Sequence, residues 1–436
     1  PDSAPAIEEA PSPSTERSSS EREVAELNKT KILLESLPPK TQESLLEKVQ
    51  LPPSNPHFLS HEMVRRAKEI HTNILQGSSV GFQAPMMWGK TGTLIALAEM
   101  LRATDPGGTY IYCPFVRDKE FLQDNRETFK RHDIDNVICL PLQKLEKNWT
   151  HLLKKCPNIK GFFFDECHYG TRKDSVADKV ISLARKDLTG PSFIFVSATP
   201  VQAILATLDK NKGSFGNMVH VHEEGGESYN GISDLRERCE IDHQTSISFL
   251  EKNLSHRGQC VLEGQEGFDQ QWSATPLVRR HVDHLLTAPS DGVSFMAVRK
   301  ANPNVSKSGI KVAVYLNKVI QREYRRPIED GLLRVITICD GKTGFKDIDD
   351  EFVFCESNEI KDKLSHALGD PFCRTLIIVV DSLKAGKNFG PNTKERVWGI
   401  IDAYKTISAL LQGLPGRLCM HNRDKDQLQC LFSRVF

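Results

Sequence analysis

The chain is poor in the features that would settle its class at a glance. It has no excess charge, with 57 basic and 57 acidic residues in 436, so no global field advertises a polyanion partner. Any grip on nucleic acid has to come from local patches. Its 11 cysteines include no C-x-x-C pair, which argues against a zinc ribbon or a thioredoxin-type redox motif. Several cysteines stand in apolar stretches (Cys113, Cys139, Cys339). They read as buried thiols of a reducing, intracellular compartment, cytoplasm or nucleus. No apolar run approaches the ~18 residues of a membrane span, and no secretory signal pattern is present. The chain opens on Pro1 instead of Met, so a processed or trimmed form is expected, and an upstream address would go unseen.

What is present begins with a low-complexity tail. Residues 1–23 are rich in Pro, Ser, Ala and Glu with almost no large apolar group, so a disordered segment is expected. Residues 24–54 follow as a helical extension and linker. Apolar residues recur there at helical spacing, and Pro38-Pro39 divides them into two helices. This extension suits packing on the body of the protein, which we favour, or binding a protein partner through residues 24–50. Ser60 reads as an N-cap, with Met63, Ala67 and Ile70 on one helical face. From about Asn55 to Glu223, short apolar strands alternate with helices, the mark of a parallel sheet covered on both faces. Residues 224–436 repeat that alternation around Val293–Val298, Leu333–Cys339, Thr375–Val380 and Val397–Ile401. The expected fold class is therefore α/β, with two tandem parallel-sheet lobes behind a disordered and helical N-terminal extension.

The chemistry collects at strand ends. The apolar run Gly161-Phe162-Phe163-Phe164 stops in Asp165-Glu166-Cys167-His168. A short continuous run of this kind reads as a buried parallel strand, and ligands of open α/β sheets bind beyond the carboxyl ends of strands. A hard cation such as Mg²⁺ takes one or two carboxylates and keeps several waters. Asp165 suits that contact, and Glu166 suits polarising an attacking water. A second strand, Phe193–Val196, ends in Ser197-Ala198-Thr199-Pro200. Upstream, Ala84 begins a loop that ends in Gly89-Lys90-Thr91 and runs into an apolar helix. Backbone amides curling around a phosphate, a lysine on its oxygens and a hydroxyl on Mg²⁺ are what such a loop supplies. In the second half, Asp381-Ser-Leu-Lys384-Ala385-Gly386-Lys387-Asn388 follows a buried strand, and Gln412-Gly-Leu-Pro-Gly416-Arg417 lies further on.

With these stretches in this order, the chain resembles superfamily 2 helicases and translocases, the DEAD/DEAH-box-like group with two RecA-like lobes, with Asp165-Glu166-Cys167-His168 as a DECH form of the Walker B motif. The resemblance covers about Gln83 to Arg423. It implies ATP and Mg²⁺ as cofactors. Ala84, Gly89, Lys90, Thr91, Asp165 and Gly386 would bind them, with Thr91 and Asp165 on the metal. It implies Glu166 as the residue that orients water, Arg417 as an arginine finger, and Gln412 as a contact to the nucleotide or to the other lobe. His168, Ser197 and Thr199 would couple hydrolysis to movement; His168 fits a satisfied core histidine equally well. Lys384 and Lys387 of the fifth motif would meet phosphate. Arg299 and Lys300, in a segment from Arg279 to Arg326 with ten Lys/Arg against three acids, would grip a nucleic-acid backbone.

Departures from the family pattern are also visible. Met87 replaces the middle glycine of the phosphate loop, and only a backbone outside the left-handed region suits it there. Ala385 replaces an arginine. The sixth motif carries one extra residue and places Met420 where a second arginine is usual, with Arg423 offset from it. Trp88 stacks on a base or anchors the loop from within, the second being favoured. The expected function is an ATP-dependent nucleic-acid helicase or translocase, with DNA preferred slightly over RNA because the motifs look unlike those of the DEAD-box RNA group. The alternatives are an RNA helicase, or a nucleotide-binding scaffold or switch of a viral or mobile-element assembly without translocation.

Overall fold

A computed structural model describes residues 19–53, 55–85, 87–115, 119–167, 175–198, 218–225, 229–230, 239–242, 276–298, 317, 319–339, 344–346, 353–354, 373–380, 396–403, 420–421 and 429–433. Residues 1–18 of the tail lie outside these. The expectation of disorder through residue 23 is corrected, because helix α1 (Ser19–Leu34) already includes residues 19–23. Once the apolar part of a helix is anchored, each added residue brings one more hydrogen bond at little cost, so the helix extends into a polar stretch. Pro38-Pro39 ends the first helical segment and starts α2 (Pro39–Gln50) with proline at its first position, where the missing N–H costs nothing.

Helix α3 (His61–Leu75) starts at Ser60, whose hydroxyl accepts from the Met63 amide at 3.2 Å. Strand β1 (Ser79–Gln83) leads through the phosphate-loop sequence into α4 (Lys90–Thr104). There follow β2 (Thr109–Pro114), α5 (Lys119–Arg131), β3 (Val137–Cys139), α6 (Leu142–Lys147), α7 (Trp149–Lys155), β4 (Ile159–Asp165), α8 (Val176–Asp187), β5 (Ser192–Ser197) and β6 (Met218–His222). The six strands form one parallel sheet in the order β3-β2-β4-β5-β1-β6. Strand β5 therefore separates β1 from β4.

Alternation along β4 explains its aromatic run. Phe162 and Phe164 face one side, with Phe193 and Phe195 of β5 and the apolar residues of α6, α7 and α8. Phe163 faces the other, with Tyr110, Ile194 and the helices α2, α3 and α4. A continuous apolar run is what a strand covered on both faces needs. Phe162, Phe163, Phe164, Phe193 and Phe195 are each at most 2% exposed, and burial of each stabilises the fold by about 1.5–3 kcal/mol. Their rings stack; Phe164 and Phe193 are nearly parallel at 6.1 Å.

Helix α4 is buried on nearly all sides, from Thr93 to Leu101. The sheet covers one side, and the N-terminal helices cover another. Its Glu99 is 3% exposed and meets Lys48 of α2 at 2.6 Å. Thr30 of α1 bonds His61 of α3 at 2.6 Å. Residues 24–50 thus pack on the first lobe, the use favoured above.

The second lobe has its own eight-stranded sheet. Its members are β8 (Cys239–Asp242), β9 (Val293–Val298), β10 (Leu333–Cys339), β11 (Gly344–Lys346), β12 (Val353–Phe354), β13 (Arg374–Val380), β14 (Val397–Ala403) and β16 (Gln429–Ser433), in the order β12-β11-β10-β13-β9-β14-β16-β8. The run from β10 to β8 is parallel, and β11 and β12 add an antiparallel edge. A two-stranded pair joins β7 (Tyr229–Asn230) to β15 (Met420–His421). Helix α9 (Pro276–Thr287) lies against β13 and β14 and buries Val278, His281, Val282 and Leu285. A short helix α10 (Arg325–Glu329) precedes β10. Among the described residues, no helix is long and apolar enough to cross a membrane.

Candidate functional site

The carboxyl ends of β1, β5 and β4 lie side by side. Gln83 pairs with Ser197, and Val196 with Asp165. The ladder runs one step past the strand, where the Ala84 amide donates to the Ser197 carbonyl at 3.3 Å. This register brings Ala84, Ser197, Asp165 and Glu166 to one edge of the sheet, and α4 starts there with Lys90 and Thr91.

Between β1 and α4 the loop turns through two positive-φ residues, Met87 (φ 58) and Gly89 (φ 115). Met87 therefore stands in the left-handed region, which on sequence grounds is unsuited to it in this loop. The turn keeps the conformation that glycine adopts freely, and a methionine is held in it, half-buried. Its neighbour Trp88 is 1% exposed and meets Phe82 edge-on at 6.0 Å, so it anchors the loop from within. On the outer side, Met63 of α3 presses on the loop. A Cβ on Gly89 would overlap the Met63 methyl, and one on Gly92 would lie 2.6 Å from its sulfur. The Lys90 ammonium donates to the Pro85 carbonyl at 2.9 Å and to the Ala84 carbonyl at 3.3 Å.

Asp165 is 4% exposed and Glu166 8%. The Asp165 carboxylate accepts from the Tyr112 hydroxyl at 2.6 Å through Oδ2 and from the Glu166 amide at 2.8 Å through Oδ1. Burial, followed by the neighbouring Glu166 charge, raises its pKa to about 6, against the pull of the Tyr112 hydroxyl and Lys90. Glu166 itself has φ 50, a left-handed conformation rare outside glycine and typical of strained functional turns. Burial also pushes the Cys167 thiol well up, so it behaves as an inert apolar group. Beyond β6, Glu223 is tied to Arg66 at 2.8 Å and Arg65 at 3.2 Å, and its backbone amide donates to Gln83. This fixes the first turns of α3 to the same end of the sheet.

The structure thus brings together Ala84, Gly89, Lys90, Thr91, Asp165, Glu166 and Ser197. Nine other expected site residues lie outside the described residues: His168, Thr199, Arg299, Lys300, Lys384, Gly386, Lys387, Gln412 and Arg417. Two neighbours of the site were not singled out by sequence. Tyr112 reaches Asp165 only through the β2–β4 register, in which Tyr112 pairs with Phe163 and Asp165 lies two residues on. Met63 was read as part of a buried helical face, and that pattern does not say which loop the face covers.

No family model matches the chain, and no curated protein does. Solved structures are similar in fold. The DUF1998 helicase MrfA bound to DNA and AMPPNP superposes with a TM-score of 0.57 at 15% identity, covering 92% of this chain and 51% of that one. Mss116p bound to ssRNA and AMP-PNP gives 0.52 at 12% identity, covering 91% and 72%. The Saccharomyces cerevisiae protein Dbp5, bound to RNA and ADP BeF3, gives 0.51 at 13%, covering 92% and 88%. The chain thus spans about half the length of MrfA. Its two parallel-sheet α/β domains match the RecA-like lobes of these helicase structures in fold.

Proposed function

We propose that this protein is an ATP-dependent nucleic-acid helicase or translocase that hydrolyses ATP at the carboxyl end of the first sheet, in the cleft between its two RecA-like lobes. The observation that carries the reading is the convergence of Lys90, Asp165, Glu166 and Ser197 on one sheet edge, in a helicase-type fold. The N-terminus of α4 offers backbone amides and the positive end of its dipole to a phosphate. The Lys90 ammonium exchanges the loop carbonyls for phosphate oxygens. Glu166, held next to Asp165 in a tight turn, orients the attacking water as a general base. Ser197, on the strand between them, senses whether the site is filled.

The donor set fits Mg²⁺. Two buried carboxylates, Asp165 and Glu166, are adjacent in the chain at the end of β4, and a cation would offset the cost of burying their charge. Mg²⁺ is commonly held by one or two protein carboxylates, with waters and nucleotide phosphates completing its shell. Thr91 and Asp165 would hold the ion, which would neutralise charge on the phosphates. From the second lobe, the family resemblance assigns Arg417 to charge developing on the transferred group, Gln412 to the nucleotide or the other lobe, and Gly386 to close backbone approach at the nucleotide. Arg299, Lys300, Lys384 and Lys387 are assigned to phosphate contacts along a single strand. DNA is preferred to RNA on the motif pattern.

The test is ATP hydrolysis measured in parallel without polymer and with single-stranded DNA, duplex DNA and RNA. Polymer-stimulated turnover is expected. It should be lost in Lys90→Ala together with nucleotide binding, and lost in Glu166→Gln with binding kept. Binding without any stimulated turnover would replace the motor with a nucleotide switch. Unchanged turnover in Lys90→Ala would remove the phosphate-loop assignment.

A further inference from the structure

The Tyr112 phenol is buried inside the sheet, yet it ends on the carboxylate at the sheet's edge. Its hydroxyl is 2.6 Å from Asp165 Oδ2, and the side chain is 0% exposed. Its ring packs edge-on against Phe129 of α5 at 5.4 Å, so the ring is held by packing as well as by its hydroxyl. Asp165 Oδ1 is taken by the Glu166 amide at 2.8 Å. An ionised carboxylate has about four lone-pair directions. One on each oxygen is thus committed to the protein, and one on each is left. The terminal torsion of an aspartate is broad and soft. Two opposed bonds, one to each oxygen, are what hold it at a single angle.

We propose that Tyr112 is a positioning residue for the cation of the phosphate site: its hydroxyl fixes the Asp165 carboxylate at the angle that a Mg²⁺–nucleotide pair requires. Partners that orient a metal's carboxylate ligand commonly govern its affinity. The role does not follow from the phosphate-loop or acidic motifs, because it depends on the neighbouring strand and its register. Tyr110, two residues earlier on the same strand, is the natural comparison. It is also buried, at 4% exposed, and stacks on Phe163 at 5.6 Å, but none of the Asp165 bonds involves it.

The inference rests on the phosphate-site reading, and the experiment separates the two. Affinity for a fluorescent ATP analogue is measured with and without Mg²⁺ on the full chain, for the parent, Tyr112→Phe and Tyr110→Phe. Tyr112→Phe keeps the ring and its packing against Phe129, so the fold is retained; a thermal melt verifies it. In the parent, Mg²⁺ is expected to tighten binding. In Tyr112→Phe, metal-free affinity should be unchanged while the Mg²⁺-dependent gain falls by about 10-fold or more. Tyr110→Phe should keep the full gain. A parent with no Mg²⁺-dependent gain overturns the phosphate-site reading and this inference with it. A parental gain that Tyr112→Phe keeps in full overturns this inference alone. Equal losses in both variants, or a loss of metal-free affinity as large as the loss of gain, would make the effect one of general packing and overturn it too.

Discussion

Replacing Met87 tests whether the phosphate loop is held in a strained turn. At φ 58 a residue with a Cβ pays about 1–2 kcal/mol for the left-handed conformation. Glycine escapes that penalty but loses about 0.5–1 kcal/mol more backbone freedom on folding. The difference favours glycine over alanine at this position by up to about 1.5 kcal/mol. Comparing Met87→Gly with Met87→Ala cancels the loss of the half-buried side chain and leaves the backbone effect. Urea unfolding followed by tryptophan fluorescence reads it, since Trp88 and Trp149 are both buried in the first lobe. Met87→Gly should have the higher midpoint, with the same slope. In a right-handed turn the order reverses, with alanine ahead by about 0.5–1 kcal/mol. An alanine variant more stable than the glycine variant would therefore refute the strained turn.

Two further outcomes follow from the same packing. Gly89→Ala forces a Cβ into Met63 at a left-handed φ, and should cost about 2 kcal/mol or more; adding Met63→Ala should recover only the steric part, read by the same unfolding assay. In the second lobe, burial, and then the charge on nearby His284, depresses His281 to about 3, whereas an unfolded histidine titrates near 6.5. His281 folds neutral, so its contribution is fully present above about pH 6.5 and falls by about 1.4 kcal/mol per unit as pH drops toward 3. Thermal melts between pH 7 and 5 should slope less steeply in His281→Asn; identical slopes would show that His281 is hydrated in the folded protein.

Local pattern carried much of the fold. The apolar runs that became β4, β5, β10 and β13, the cap at Ser60, and the break at Pro38-Pro39 are decided within a few residues, so they show in the chain. Strand β6 did not show, because Met218–His222 alternates with exposed histidine and becomes a strand by pairing with β1. The short helices α6 and α7 and the strands β8 and β16 also depend on distant partners. At the site, the place of Lys90 at the start of α4 and of Asp165 at the end of β4 was legible, because each closes or opens an apolar run. Tyr112 and Met63 were not, since each meets the site through the register of a neighbouring strand or the docking of a helix. The backbone angle of Met87 was not legible, because the residue type disfavours φ 58 and only the folded turn sets it.

The pairing of β8 with β16 bears on how the chain is made. The first lobe closes its sheet between Ser79 and His222, so it can fold while the ribosome is still extending the chain. The second lobe cannot, because Cys239 finds its partner only at Cys430. Until that stretch emerges, β8 and one side of β14 are open strand edges, the kind that recruit other chains. Such long-range closure is also slow. The lobe that has to wait for its last strand is therefore the one most exposed to aggregation during synthesis, and the one for which a chaperone matters most.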